Sequence, residues 1–363
     1  MIFDTLVKAL RKRMGPIIRN SGKSETNGLP DGIEFDVLAD LCSRRLSGRL
    51  KTTQYVHLSG WKTRGAYRLI LETTKGRRWQ LVYKDALYDL DQIPALKKLP
   101  VSPGPPEYTV VSGGNGPLAK YLPLKYLCIE VSPQKHYRYL FEDLSGEYQP
   151  PRSADDILSI VAGLSEFHGA LSEWSSSQVS NNLLNYNLEF SQALQNYAQK
   201  NLEKYFAKHS SDHFKALNRH WQDITDLHGS AEYFLPNHVH PIHGDFNLTN
   251  IFMHKSIPNS MKIVDWEWAG WGMPHADLVS LLKNQPKELA DTALSLYAER
   301  HPDLSGDEHR RFFYWCWLER GFLDASFLAA QLLKTSVKTQ FNVQRHIERS
   351  LVRIMQAYQE LKT

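Results

Sequence analysis

Hydrophobic and polar residues alternate with a period of two along four stretches in the first half of the chain. This period places successive side chains on opposite faces of an extended strand, so the stretches predict β-strands. Turn residues between the members of each pair predict two hairpins. A segment rich in proline and glycine, 94–118, separates the hairpins and leaves room for a short helix at about 105–112. The four stretches are residues 66–74 and 78–84, then 125–131 and 137–144.

Beyond Gly146 the apolar residues recur every three or four positions, which indicates amphipathic helices. Residues 153–170 show this pattern, with Ser153 as the N-cap and acidic residues in the first turn. The run from Met261 to Val264 predicts a short buried strand. Further helical patterns cover residues 184–227, 275–300 and 307–362.

This order of elements predicts an α+β fold with a small β-rich N-lobe followed by a large, mainly helical C-lobe. The predicted ranges are 1–45 for an N-terminal helix and linker, 46–145 for the N-lobe and 146–363 for the C-lobe.

The N-terminus combines apolar residues at helical spacing, from Ile2 to Leu10, with basic residues from Lys8 to Arg13. We predict a helix that packs on the domain or on a partner, and peripheral contact with a membrane is the alternative. No apolar run approaches the ~20 residues that span a bilayer, so the sequence predicts no transmembrane segment.

Composition narrows the class of ligand. The chain has 363 residues and a net charge of +4. This mild surplus suits anionic ligands such as nucleotides, but it is too small and too dispersed for a nucleic-acid surface. Cys42, Cys128 and Cys316 lie far apart without zinc or redox spacing, which predicts reduced thiols in a cytoplasmic protein.

The strongest chemical signal is a pair of motifs, HGDFNLTN at 243–250 and IVDWE at 263–267. Asp245 is followed five residues later by Asn250 and twenty residues later by Asp265. Phosphoryl transfer needs one carboxylate beside the attacking hydroxyl, and an amide and a second carboxylate to hold Mg²⁺. The order of these three residues matches that need.

Together with GMPHADL at 272–278, these motifs resemble the aminoglycoside phosphotransferase and choline kinase-like family, whose members are relatives of the protein kinases. The likeness in lobe order covers roughly residues 50–330. The resemblance implies a two-lobed protein-kinase-like fold and transfer of the γ-phosphoryl group of ATP to a hydroxyl of a small molecule. It implies that Asp245 is the catalytic base and that Asn250 and Asp265 hold Mg²⁺.

The nucleotide side of such a site begins at Lys84, which the resemblance assigns to the phosphates. Val82 lies on the same face of the predicted strand and would cover the base. Glu107 is the predicted carboxylate partner of Lys84, with Asp89 and Asp91 as rivals.

Two further segments complete the predicted nucleotide site. Gly60 lies in a loop, 58–65, that would cover the phosphates, and an ordinary hairpin turn is the alternative. The backbone groups of Glu142 and Leu144 would contact the adenine edge.

The acceptor is expected to bind among helices in 150–230 and 307–345. Glu319 and Asp324 are expected on a solvated helix face there, and contact with a cationic amino sugar or amino alcohol is the alternative. The aromatic residues of 312–318 are predicted to belong to the core, with a substrate cage as the alternative.

Three histidines allow a different hypothesis. His238, His240 and His243 have the spacing of a zinc hydrolase, but that motif requires an aspartate where Ile242 stands. We instead expect His243 to brace the catalytic loop through a backbone hydrogen bond. Asp277 is predicted to cap the helix beginning near Pro274 and to tie it to this loop.

Two other functions also remain as hypotheses. A protein kinase is disfavoured because no phosphorylatable activation loop separates Asp265 from Pro274. A nucleotide-binding pseudokinase is disfavoured by the complete set of Asp245, Asn250 and Asp265.

Overall fold

The computed structural model describes residues 26–45, 48–58, 63–87, 106–132, 136–177, 183–209, 211–229, 239–333 and 340–363. Several predicted features lie outside these residues, namely the N-terminal helix, Gly60, Asp89, Asp91 and His238.

The strands are numbered in their order along the chain. They are β1 (Thr26–Asn27), β2 (Leu50–Leu58), β3 (Thr63–Thr73), β4 (Arg78–Leu87), β5 (Lys125–Ser132), β6 (His136–Glu142), β7 (Tyr148–Gln149), β8 (Leu184–Asn185), β9 (His240–Ile242), β10 (Ile251–His254), β11 (Met261–Ile263) and β12 (Gly270–Gly272).

The α-helices are numbered in the same way, and a 3₁₀ helix at Gly116–Tyr121 accompanies them. They are α1 (Phe35–Arg45), α2 (Pro106–Gly113), α3 (Ala154–Ser177), α4 (Leu188–Phe206), α5 (Asp212–Arg219), α6 (Trp221–Gly229), α7 (His275–Leu282), α8 (Lys287–Glu299), α9 (Gly306–Leu332) and α10 (Gln340–Lys362). None of the helices in the described part of the chain is long and apolar enough to cross a membrane.

The chain divides into two compact units. The first unit contains the described residues before 88, those from 106 to 156, and the later segment Leu248–Asp265. The second unit contains the described residues of Ile157–Asn247 and of Trp266–Thr363. The lobe ranges given by the sequence pattern stay a prediction.

The first unit is built on a sheet with the strand order β1-β2-β3-β4-β6-β5, in which all neighbours are antiparallel. Strands β3 and β4 form the first predicted hairpin and β5 and β6 the second, so both predictions are confirmed. The short helix expected near 105–112 is also present, as α2.

The two faces of this sheet carry different partners. Leu81 and Tyr83 of β4 belong to a core cluster with Leu38 and Cys42 of α1. The alternate residue Ala86 belongs to a second cluster that includes Val111 of α2. Helix α2 therefore packs on the face of β4 that also carries residues 82 and 84.

A second small sheet in the first unit has the order β11-β10-β7. Strand β11 is the short strand predicted at 261–264, and Met261 and Ile263 are buried in it. It pairs antiparallel with β10, so the residue before β10 lies beside the end of β11.

The second unit contains most of α3, the helices α4 to α10 and a small sheet with the order β8-β12-β9. The helical segment predicted at 184–227 begins with the strand β8 and then forms α4, α5 and α6. The predicted cap of α3 is confirmed, since the amide of Asp156 donates to Ser153 Oγ at 3.0 Å. Phe312, Phe313 and Trp315 of α9 are at most 3% exposed, which confirms their place in the core.

Candidate active site

Lys84 lies between two carboxylates in the first unit. Its ammonium donates to both oxygens of Glu107 at 2.8 and 2.7 Å, and to Oδ1 of Asp265 at 3.0 Å. The side chains of Lys84 and Glu107 are 13% and 6% exposed, whereas that of Asp265 is 46% exposed. A buried ammonium is costly without such partners, so this arrangement fixes Lys84 in place.

The fold explains why these residues meet. Lys84 projects from the face of β4 on which α2 packs, opposite the face of Leu81 and Tyr83. Glu107 lies in the first turn of α2. The sequence-predicted pairing is therefore present, and its role towards a nucleotide stays a prediction.

Asn250 and Asp265 are held by the β10–β11 hairpin. Asn250 directly precedes β10, and Asp265 follows β11 by two residues. The amide of Val264 donates to the Asn250 carbonyl at 2.9 Å, which joins the two ends of the hairpin. Asp265 has a φ of 66°, a left-handed conformation that aspartate tolerates better than most residues.

Asp245 lies in the second unit and forms an ion pair with Arg320 of α9. Arg320 donates to Asp245 Oδ1 at 2.6 Å, to the Gly244 carbonyl at 3.3 Å and to Asp324 Oδ1 at 3.2 Å. Lys283, just after α7, lies 3.5 Å from the other oxygen of Asp324. The predicted catalytic carboxylate is thus held by a network of part-buried charges.

The pKa of Asp245 is lowered below its ordinary value. Burial raises the pKa, but the positive charges of Arg320 and Lys283 and the hydrogen bond from Arg320 lower it further. The carboxylate is therefore ionised at neutral pH, as a proton acceptor must be.

The backbone beside Asp245 depends on a glycine. Gly244 has a φ of 77°, and a Cβ built there would lie 2.0 Å from the carbonyl oxygen of Trp268. A larger residue would be strained in the left-handed conformation, and its Cβ would clash with this backbone atom.

Asp277 is buried and anchors the loop that carries Asp245. Its carboxylate accepts hydrogen bonds from the amides of His243 and Gly244 at 2.9 and 2.8 Å. His168 lies 3.1 Å from the same carboxylate. The predicted tie to the loop is present. The predicted cap is wrong, since Asp277 lies inside α7 and no side chain caps that helix.

His243 is fully buried, and its Nδ1 accepts a hydrogen bond from the Asp245 amide at 3.3 Å. This confirms the expected brace. Among the described residues, neither His240 nor His243 belongs to a group of ligands close enough to hold a metal ion.

Glu319 and Asp324 do not form a solvated helix face. Ser191 of α4 donates a hydrogen bond to Glu319, and Asp324 is 21% exposed between Arg320 and Lys283. The predicted solvated face is therefore wrong, because both carboxylates have partners within the second unit.

The residues predicted at the adenine edge lie at the end of β6. The amide of Glu142 donates to the Leu124 carbonyl at 2.9 Å, and the Leu144 carbonyl accepts from Tyr148 at 2.8 Å. Val82 is half-buried and pairs with Phe141 across the sheet. The contact of these backbone groups with a base stays a prediction.

Sequence reasoning missed Arg320 and Lys283. Arg320 and Asp324 stand four residues apart in a helical segment, a spacing that signals an ion pair on one helix face. Nothing in the sequence connects Arg320 with Asp245, which lies 75 residues earlier.

Comparison with known proteins gives one match to a family. Residues 115–313, more than half of the chain, match the sequence model described as the phosphotransferase enzyme family. A comparison with curated proteins gives no match.

Solved structures share the fold at low sequence identity. The spectinomycin phosphotransferase APH(9)-Ia, solved with ADP and spectinomycin, has 13% identity and a TM-score of 0.56, over 91% of this chain and 100% of that chain. A thermostable mutant of the aminoglycoside phosphotransferase APH(4)-Ia, solved with AMP-PNP and hygromycin B, has 13% identity and a TM-score of 0.54, over 88% and 97%. A choline/ethanolamine kinase family protein from Mesorhizobium loti has 13% identity and a TM-score of 0.52, over 90% and 94%. These likenesses confirm the predicted α+β, protein-kinase-like fold.

Proposed function

Since this chain belongs to the phosphotransferase enzyme family and is a small-molecule kinase, we propose that it transfers the γ-phosphoryl group of ATP, with Mg²⁺, to a hydroxyl group. The ADP and AMP-PNP bound to its structural neighbours support an adenine nucleotide. Their acceptors, spectinomycin and hygromycin B, and the choline/ethanolamine kinase relative support an amino sugar, an amino alcohol or a related metabolite.

The observation that carries this proposal is the position of Lys84. Its ammonium lies within 3.0 Å of both Glu107 and Asp265, so a phosphate-binding cation and a candidate metal ligand adjoin each other. Glu107 balances the charge of Lys84 and holds it in one place. We assign Lys84 to the phosphates of ATP.

The residues of the β10–β11 hairpin fit a magnesium ion. Asn250 offers an amide oxygen and Asp265 a carboxylate, and hard cations prefer such oxygen ligands. The carboxylate of Asp265 is half-exposed and can therefore bind a metal ion from solvent. When bound, Mg²⁺ supplies neutralisation of the phosphate charge.

Asp245 acts on the acceptor in this proposal. Its carboxylate accepts a hydrogen bond from the acceptor hydroxyl, whose oxygen forms a bond to the γ-phosphorus. The bond from the γ-phosphorus to the bridging oxygen breaks, and ADP leaves with that electron pair. The hydroxyl proton passes to Asp245, a role worth ~10²–10⁴ in rate. Arg320 orients the carboxylate for this step.

The remaining predicted contacts complete the nucleotide site. The Glu142 carbonyl and the Leu144 amide would contact the adenine edge, and Val82 would cover the base. A cytoplasmic location belongs to the same proposal, because Cys42 and Cys316 are buried free thiols. The proposal includes no nucleic-acid partner, because the net charge is only +4.

The test is a phosphorylation assay with Mg-ATP and a mixed panel of aminoglycosides, amino alcohols, sugars, sugar phosphates, hydroxy acids and nucleosides. Mass spectrometry detects the gain of one phosphoryl group. We expect a product from the wild-type chain and a rate ~10²–10⁴ lower from Asp245→Asn. The variant should still bind Mg-ATP, because Asp245 acts on the acceptor.

A chain that gives no product and binds no nucleotide would contradict the proposal. Equal rates from the wild type and from Asp245→Asn would remove Asp245 from its role and leave the transferase activity in place.

A further inference from the structure

The carboxylate of Asp245 lies in a surplus of positive charge within the second unit. Arg320 bonds to it at 2.6 Å and also contacts Asp324, which Lys283 approaches to 3.5 Å. Arg353 of α10 donates to the side chain of Asn284, the residue after Lys283, at 2.8 Å. We call Lys283, Arg320 and Arg353 the basic cluster.

The charges in this region do not balance. Asp245 and Asp324 both bind the same guanidinium, that of Arg320. Their two negative charges therefore face three positive charges in the basic cluster. The excess belongs to Lys283 and Arg353, whose contacts described above are one shared carboxylate and one neutral amide.

Two further arginines lie near the basic cluster on α10. Arg345 and Arg349 precede Arg353 on α10 at intervals of four residues, which places all three on one side of the helix. Their charges, with that of Arg353, lower the pKa of His346 after the effect of burial. The intervening carboxylate of Glu348 accepts a hydrogen bond from Ser211, the N-cap of α5.

The basic cluster is open to water. Four side chains here are between 16% and 21% exposed, namely those of Arg320, Lys283, Asp245 and Asp324. A sealed structural network would be fully buried, whereas these groups can still contact a small molecule. Burial nevertheless lowers the pKa of Lys283 and of Arg353, so an additional anion would be favourable.

We propose that the acceptor carries an anionic group, a phosphate or a carboxylate, that binds Lys283 and Arg353 while its hydroxyl faces Asp245. This inference rests on the proposed function, since it takes Asp245 as the group that receives the hydroxyl proton. It narrows the acceptor classes named above to a related metabolite with a negative charge, because a cationic amino sugar or amino alcohol would add positive charge beside three existing cations. Like charges at such short range select strongly against a ligand.

The test compares compounds that share a scaffold and differ in charge. One series is glucose, glucosamine, gluconate and glucose 6-phosphate, and another is glycerol, ethanolamine, glycerate and glycerol 3-phosphate. The full-length chain is assayed with saturating Mg-ATP, and kcat/KM is measured for each compound. We expect an anionic member to exceed its neutral and cationic counterparts by ~10-fold or more. The gluconate and phosphate arms distinguish a carboxylate from a phosphate.

Two variants test the assignment to the basic cluster. Lys283→Met should reduce the preference for the anionic compound to about the level of its neutral counterpart, through a higher KM for the acceptor. Lys283→Arg keeps the charge and should keep the preference. The KM for ATP should stay unchanged in both, and their melting temperatures establish that they fold. Arg353→Met tests the second cation independently, and it should also reduce the preference for the anionic compound.

A preference for cationic compounds, or an unchanged preference in both Lys283→Met and Arg353→Met, would overturn the inference. So would a panel in which no anionic compound is phosphorylated. Transfer to a neutral or cationic compound that depends on Asp245 would leave the proposed function intact. The failure of nucleotide binding would instead count against the proposed function itself.

Discussion

Arg320 sets the position and the charge environment of Asp245. One guanidinium bonds to the carboxylate of Asp245, to the carbonyl of Gly244 and to Asp324. Its planar fork of donors fixes both the position and the charge of the carboxylate. A lysine could supply the charge, but one ammonium cannot reproduce the same three directions.

The pH dependence of activity should follow from this pair. Burial raises the pKa of Asp245, and Arg320 and Lys283 lower it further than burial raises it. Arg320→Met removes one of the lowering charges while burial remains, so the pKa of Asp245 should rise. The acidic limb of the pH–rate profile should then move to higher pH, with a loss of ~10²-fold in kcat/KM from misplacement.

Arg320→Lys is the control for that experiment, since it keeps the positive charge and loses the fork. Its acidic limb should move less than that of Arg320→Met. An acidic limb at the same pH in the wild type and in Arg320→Met would show that Asp245 is not the group that titrates.

Gly244→Ala should damage both stability and activity. The new Cβ would meet the Trp268 carbonyl oxygen at 2.0 Å in a left-handed conformation. Gly76→Ala is a matched control, because Gly76 also has a positive φ, 73°, with nothing within 4 Å of its Cβ position. We expect a cost of ~1–2 kcal/mol for Gly76→Ala and a larger cost for Gly244→Ala. Chemical denaturation measures both, and equal costs would contradict the steric argument.

At the scale of elements, two supersecondary units bring the nucleotide-side residues of the first unit together. Helix α2 covers the face of β4 that carries Lys84, and this places Glu107 on the ammonium. The β10–β11 hairpin carries Asn250 before its first strand and Asp265 after its second. Glu107 lies in the first turn of α2, and Asn250 and Asp265 flank the two strands of the hairpin.

Glu107→Gln tests the contribution of α2. The amide keeps the shape but loses the charge that holds Lys84, while the contact of Lys84 with Asp265 remains. We expect the KM for ATP to rise by ~10-fold, the value of about 1.4 kcal/mol. Steady-state kinetics with varied ATP measures the change.

Glu72→Gln is the matched control, because Glu72 forms an exposed pair with Lys51 at 2.9 Å on the same sheet. Such exposed pairs contribute little, so its KM should equal that of the wild type. A Glu107→Gln variant with normal kinetics would show that Asp265 alone suffices to position Lys84.

At the scale of the whole molecule, the candidate residues are distributed over two compact units. Lys84, Glu107, Asn250 and Asp265 belong to the first unit, and Asp245 belongs to the second. The short segment between Asp245 and Asn250 therefore crosses from one unit to the other. In the proposed function, the nucleotide and the metal bind residues of the first unit, and the proton acceptor belongs to the second.

Mg-ATP should stabilise the chain by mass action if this assignment is right. A ligand at 100 times its Kd adds ~2.7 kcal/mol to the free energy of unfolding, which a thermal melt detects. Asp265→Asn should lose the part of the stabilisation that depends on Mg²⁺, and EDTA should remove it from the wild type. Asp245→Asn should keep the whole effect. A metal-dependent shift that survives in Asp265→Asn would assign the metal to other residues.

The sequence by itself determined the two hairpins, the main helical segments and the identity of the principal candidates. Period-two alternation set the two hairpins of the first unit, because each needs a buried face against α1 or α2. The spacing of Asp245, Asn250 and Asp265 defined the chemistry, because the motifs lie within one continuous stretch. The Lys84–Glu107 pair could also be predicted, because the alternation of residues in a strand and a proline at a helix start are local signals.

The tertiary structure alone decided the environment of Asp245. Arg320, Lys283 and Arg353 come from α9, from just after α7 and from α10. Helix packing brings all three close enough to lower the pKa of Asp324, which shares Arg320 with Asp245. The structure also pairs Asp324 with Arg320, whereas the sequence had offered Asp324 as a contact for a cationic acceptor. Charge at a site is a sum over residues from distant parts of the chain, so no local pattern contains it.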